Sequence, residues 1–101
     1  MVLTIAAIIA LIGGVVYFWD VIKEWAKNVM TYLAVGAVTV YIYRKFREYY
    51  VVASGKKNGN NVQHISTIPE GQIDADVLRQ INRKPEKTPI EIANYNSSSW
   101  W

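Results

Sequence analysis

Residues 2–19, VLTIAAIIALIGGVVYFW, form a stretch of 18 residues without a charged side chain. As one helix at ~1.5 Å per residue the stretch is about 27 Å long, close to the ~30 Å hydrocarbon core of a bilayer. A second uncharged run, VMTYLAVGAVTVYIY, covers residues 29–43. The two runs predict an all-α membrane protein with one or two transmembrane helices, of which a two-helix hairpin is the preferred arrangement.

The apolar residues are concentrated in the first half of the chain, and this predicts three regions. They are a membrane-embedded helical region at 1–53, a linker at 54–61 and a partner-binding tail at 62–101. The linker, SGKKNGNN, has the composition of a loop and no apolar residue. The tail is predicted to be polar and mostly irregular, with brief extended pieces at 62–68 and 89–92. It also contains one short helix, capped by Asp74 and ended by Pro85.

The segment between the apolar runs, DVIKEWAKN at residues 20–28, contains neither glycine nor proline and favours a helix. Its apolar residues Val21, Ile22 and Trp25 fall on one side. Two arrangements follow from this. Either a short interfacial helix lies on the membrane surface and Asn28 helps the chain to turn back, or one long helix continues without turning and only one run spans lipid.

Small residues recur along both runs. Ala6, Ala10 and Gly14 are spaced four apart, and Ala34 and Ala37 form a second patch. Strips of small residues allow transmembrane helices to approach closely, so these five residues are predicted to be helix-packing positions.

Aromatic and basic side chains flank the runs, as they do at the edges of a bilayer. The predicted membrane-interface residues are Trp19, Trp25, Tyr43, Arg44, Lys45 and Arg47. The excess of basic residues after the second run places the tail on the cytoplasmic side. The predicted localisation is an integral membrane one, in the internal membrane of a virion or in the inner membrane of a host or other cell.

The composition excludes several kinds of chemistry. The chain has no cysteine and a single histidine, His64, without candidate metal ligands at a suitable spacing. Asp74 and Asp76 are two residues apart and point away from each other on a helix. No phosphate-binding glycine loop is present, and no ionisable residue lies within either apolar run. The sequence therefore predicts a non-enzymatic protein without a cofactor, and its net charge of +3 is too small to indicate specific nucleic-acid binding.

The tail lacks enough apolar residues for a core of its own, which indicates that it binds another protein. The predicted partner-binding residues are Val77, Leu78, Ile81, Trp100 and Trp101. The predicted function is that of an oligomeric structural linker that ties a lipid bilayer to capsid or other subunits, as in a membrane-containing virion. Two alternatives are an accessory subunit of a cellular membrane complex and a pore-forming protein, since the two-span layout resembles that of phage holins.

Overall fold

The computed structural model describes residues 3–12 and 17–97, which form an α/β structure with helices on one sheet. The described helices are α1 (Ile5–Ile12), α2 (Phe18–Leu33) and α3 (Ala75–Asn82), with a 3-10 turn at Glu70–Gln72. The described strands are β1 (Ala37–Lys45), β2 (Glu48–Lys57), β3 (Asn60–Ile68) and β4 (Ile90–Asn96). The predicted all-α membrane fold is therefore wrong.

The four strands form one antiparallel sheet in the order β3-β2-β1-β4. Successive hairpins join β1, β2 and β3, and the chain then passes through α3 before β4 pairs with the free side of β1. The β1–β4 pairing contains a bulge, because Val40 lies opposite Ala93 whereas Tyr41 lies opposite Glu91. The extra residue, Ile92, increases the local twist of β4.

All three helices contribute to a single core on one face of the sheet. The sheet side chains of this core alternate along the strands with side chains on the other face, as the pleat requires. The sheet residues buried in the core are Val38, Val40, Ile42, Tyr49, Val51, Ala53 and Ile68. The helix residues buried with them are Ile5, Ile8, Phe18, Val21, Ile22, Trp25, Ala26, Val29, Met30, Val77 and Ile81.

Helix α2 supplies the largest share of the helical side of the core. Its centre is anchored by Trp25, which is fully buried and donates a hydrogen bond from Nε1 to Ser66 Oγ of β3 at 3.0 Å. The helix ends at Ala34, which has a left-handed φ of 58°, and the Val35 N–H donates to the Met30 carbonyl at 3.1 Å. This C-terminal turn redirects the chain into β1.

The described parts of the two apolar runs do not form membrane-spanning helices. The described part of the first run contains α1 and the start of α2, and Ile5 and Ile8 are buried against the rest of the core. The second run divides into the last turns of α2 and the strand β1. Among residues 3–12 and 17–97, no helix is both long enough and apolar enough to cross a bilayer. The prediction of an integral membrane protein is corrected on this finding.

The segment 54–61, predicted to be a linker, belongs to the sheet. Residues 54–57 complete β2, Asn58 and Gly59 form a two-residue turn, and residues 60–61 begin β3. Both turn residues have positive φ, 53° and 80°, as a type I′ hairpin turn requires. The following residues are likewise ordered in β3, α3 and β4 rather than forming a mostly irregular tail.

Candidate functional site

The face of the sheet opposite the helices is uncovered among the described residues, and we call it the open face. Antiparallel sheets with one covered face ordinarily carry polar side chains on the other. Here the centre of the open face is apolar. Its apolar side chains come from three strands and from the loop before β4: Tyr41, Tyr43, Tyr50, Val52, Ile65 and Pro89. We call this set the apolar platform.

Cross-strand pairing holds the platform together. Tyr43 lies opposite Tyr50, and their rings stack with centroids 5.2 Å apart and planes 14° from parallel. Val52 lies between Tyr41 on one side and Ile65 on the other. Although no helix covers it, Val52 is only 9% exposed, whereas Ile65 is 44% exposed. An open depression of about 320 Å³ is lined by Tyr41, Tyr43, Val52, Ile65 and Pro89, together with the polar residues Ser54 and Gln63.

A polar network borders the platform on the side of β4. The Thr39 hydroxyl donates to Asn94 Oδ1 at 2.7 Å, and Asn94 Nδ2 donates to Glu91 Oε2 at 3.3 Å. These bonds fix the side chains of β1 and β4 across the bulge. The platform therefore has hydrogen-bonded polar side chains along its β4 border, as the rim of a protein interface has.

At the other border, the Tyr50 hydroxyl donates a hydrogen bond to Glu48 Oε2. This bond raises the pKa of Tyr50 above its ordinary value of about 10, since the phenol must lose the donated proton to ionise. Partial burial and the negative charge of Glu48 act in the same direction. The shift extends the pH range over which the Tyr50 phenol stays protonated and bonded to Glu48.

We expect Glu48→Gln to lower the pKa of Tyr50, because the substitution removes both the acceptor carboxylate and its charge. The raised pKa means that the folded state favours the neutral phenol, so this contribution to stability is lost as the pH rises above about 10. The measurement is an NMR titration of ring-labelled tyrosine. Glu91→Gln, on the same face, is the control and should leave Tyr50 unchanged. Identical Tyr50 titrations in Glu48→Gln and the unaltered protein would contradict the assignment.

The charges of the open face are balanced. Strand alternation places Lys45 and Lys56 on this face together with Glu48 and Glu91. Single-stranded nucleic acid is bound by aromatic platforms that lie in a positively charged groove. The open face lacks such a groove, and Tyr43 and Tyr50 each have one ring face stacked against the other. The arrangement suits a protein surface better than a polynucleotide.

The described residues contain no group of three or more histidine and acidic side chains that could hold a metal ion. His64 lies on the helix side of β3, where its ring is 5.7 Å from that of Tyr32 and 6.3 Å from that of Trp25. His64 therefore packs against two aromatic residues of α2. The site has the features of a binding surface.

The predicted helix-packing residues lie on the surface or outside the described residues. Ala6 and Ala10 are exposed on α1, and Ala34 and Ala37 are exposed at the two ends of the α2–β1 connection. Gly14 lies outside the described residues. Helix α1 instead packs through Ile5 and Ile8, on its other side.

The predicted membrane-interface residues do not share one location. Trp25 is in the core, Trp19 is exposed on α2, and Tyr43 belongs to the apolar platform. Arg44 Nη1 donates to the Phe46 carbonyl at 3.2 Å and lies 3.4 Å from Glu86 Oε1. The side chains of Lys45 and Arg47 are exposed beside this turn.

The predicted partner-binding residues of α3 are used inside the protein. Val77 and Ile81 are buried in the core, and Leu78 packs against it. The helix begins as predicted, with Asp74 Oδ1 accepting from the N–H groups of Asp76 and Val77. Trp100 and Trp101 lie outside the described residues.

Phe46 is an exposed aromatic residue. It occupies the β1–β2 turn with a left-handed φ of 56°, and its side chain is 71% exposed. Its N–H donates to Glu86 Oε1 at 2.7 Å, which ties the turn to the loop before β4. Glycine is the usual residue at such a turn position. Because the sequence has none there, it did not indicate the β1–β2 hairpin.

No protein-family model, curated protein or solved structure matches this chain.

Proposed function

We propose that this protein is a non-enzymatic structural subunit that binds another protein through the apolar platform. The observation that carries the proposal is the apolar centre on a sheet face that no described helix covers. Tyrosine is enriched in protein interfaces because it provides a large apolar area together with a polar hydroxyl group. The part of the sequence-based hypothesis that is kept is the structural role within a larger assembly.

The geometry also indicates the kind of partner surface. The depression among Tyr41, Val52, Ile65 and Pro89 suits one or two aliphatic or aromatic side chains. The surrounding lysines and glutamates are balanced, so the partner needs a rim of mixed charge rather than a strongly acidic or basic one. A bilayer-spanning or pore-forming role is not part of the proposal, because the described helices do not provide the required spans.

The proposal is tested by site-specific photo-crosslinking in the cells that produce the protein. A photoreactive phenylalanine analogue at Tyr41 should give an adduct with one protein, whereas the same analogue at the exposed Tyr17 of the helix layer should not. The adduct is then identified by mass spectrometry and its protein is purified. Equal crosslinking at both positions, or none at Tyr41, would contradict the proposal.

With the purified partner, Ile65→Asp should weaken binding by roughly ten-fold or more, since it places a charge at the centre of an apolar contact. Asn61→Asp is the matched control, because it adds the same charge on the same strand and face outside the depression. Affinities are measured by titration calorimetry. Equal losses in the two variants would show that general charge, rather than the platform, governs binding.

A further inference from the structure

The outer edge of β3 is a second unoccupied surface, separate from the open face. Strand β3 pairs with β2 over nine consecutive residue pairs, from Tyr49–Ile68 to Lys57–Asn60, without a bulge. On its other side no strand from residues 3–12 or 17–97 pairs with it. The outward-pointing N–H and C=O groups of β3 therefore have no strand partner among those residues.

Proteins usually protect such edges, and the β3 sequence lacks the features that interrupt pairing. Edge strands are commonly interrupted by a charged side chain, a proline or a bulge. The β3 sequence, NNVQHISTI, contains no Lys, Arg, Asp, Glu or Pro. The opposite edge strand, β4, has both a bulge at Ile92 and the charged residue Glu91. The two edges of the sheet therefore differ, because β4 has features that hinder pairing and β3 has none of them. β3 is the edge that can accept another strand.

Exposed apolar side chains lie on both sides of the β3 edge. Ile65 is 44% exposed on the open face, and Tyr32 of α2 is 59% exposed on the helix side next to His64. A strand added to β3 would cover part of both side chains. The backbone pairing would then be supported by apolar contacts above and below the sheet.

The charges at the two ends of β3 favour a particular partner for this edge. Lys56 and Lys57 lie at the hairpin that begins β3, and Glu70 follows its far end. If two copies pair antiparallel about a two-fold axis near His64, the beginning of one β3 meets the end of the other. Lys57 of each copy then approaches Glu70 of its mate, so two opposite-charge contacts form by symmetry. The uncharged strand between them places no like charges opposite each other.

We propose that the β3 edge is a self-association site, at which two copies of this chain join their sheets in antiparallel pairing of β3 with β3. This edge shares only Ile65 with the apolar platform, and its backbone pairing needs no partner on the platform, so the proposal goes beyond the proposed function. The partner is a second copy rather than an unrelated strand because the charges that flank β3, Lys57 at the end of β2 and Glu70 after Pro69, are complementary under the two-fold symmetry.

The test is sedimentation equilibrium of the full chain together with charge-reversal variants at exposed positions. We expect a concentration-dependent dimer. Lys57→Glu and Glu70→Lys should each raise the dimer dissociation constant by roughly ten-fold, because each converts two attractions into two repulsions. The double variant should return to within about three-fold of the unaltered protein, since it restores both pairs in reverse. Lys87→Glu, in the loop before β4, is the matched control and should have no such partner.

Two results would overturn the proposal. One is a monomer at every concentration up to about 1 mM. The other is a dimer whose dissociation constant responds to Lys57→Glu and Glu70→Lys no more than to the control, or is not restored in the double variant. Hydrogen exchange gives an independent reading. Amide groups of β3 should exchange more slowly as dimer forms, and slowing confined to β4 would place the contact at the wrong edge.

Discussion

Replacement of Trp25 by alanine is expected to lower the free energy of unfolding by about 3–5 kcal/mol, the usual cost of truncating a buried tryptophan. Trp25 is fully buried between α2 and the sheet. The substitution also leaves the buried Ser66 hydroxyl without its Trp25 donor. Because small domains are stable by only about 5–15 kcal/mol, this loss is a large fraction of the total and should clearly lower the urea midpoint.

The matched control is Trp19→Ala on the same helix. Trp19 is 42% exposed, and its replacement should change the free energy of unfolding by about 1 kcal/mol or less. Both variants are compared with the unaltered protein by urea denaturation followed with far-ultraviolet circular dichroism. Equal losses in the two variants would contradict the placement of α2, because the prediction requires the two indoles to have opposite environments.

Replacement of Ile8 by alanine is expected to lower the free energy of unfolding by about 2–5 kcal/mol. Ile8 is fully buried in the core, where α1 packs against α2 and β3. The prediction tests whether the first apolar run packs into the same core as the sheet. The measurement is the same urea titration.

Ala10→Leu on α1 is the control for this second prediction. Ala10 is exposed on the other side of the helix, so a larger side chain there should change stability by no more than about 0.5 kcal/mol. If Ile8→Ala were harmless while Ala10→Leu were disruptive, the small residues rather than the isoleucines would form the packing side of α1. That result would restore the small-residue strip predicted from the sequence.

The uniform apolar character of the first run explains why sequence reasoning favoured a spanning helix. The side chains of α1 that face the core are isoleucines, and those that face outward include Ala6 and Ala10. Alanine counts as apolar in any hydropathy average, yet its exposure costs little. The run therefore has two sides that differ in side-chain size, and an average over residues conceals that difference.

The second run was misread for a different reason. Its later half alternates Val38, Val40 and Ile42 in the core with Tyr41 and Tyr43 on the open face. Aliphatic residues and tyrosines both count as apolar. Their alternation therefore does not show the apolar–polar pattern of a half-buried strand. The β-branched and aromatic composition was the available signal for a strand. The Asn58-Gly59 pair was an equally clear signal for a hairpin turn, in a segment whose composition also fitted a linker.

Some sequence predictions that concerned a single helix or strand are correct. The helix face of Val21, Ile22 and Trp25 is confirmed by their complete burial, and the Asp74 cap is confirmed by its two hydrogen bonds. The extended pieces at 62–68 and 89–92 lie largely within β3 and β4. Each of these depends on neighbours within a few residues along the chain.

The candidate site could not be predicted in the same way. Tyr41, Val52 and Ile65 are more than ten residues apart from one another, and they meet only through the register of three strands. A shift of one residue in that register would send each side chain to the opposite face. The aromatic residues of the platform are predicted from the sequence to lie at a membrane edge, and nothing in the sequence brings them together with Val52 and Ile65. The position of the platform is therefore a property of the sheet rather than of any segment.

The order of the strands has a consequence for biosynthesis. β1 is a central strand, but one of its two neighbours, β4, is the last strand of the described chain to leave the ribosome. Until residues 90–96 emerge, a nascent chain has the unpaired side of an apolar strand open to other nascent chains. Such a topology delays completion of the sheet and lengthens the time during which a chaperone is useful.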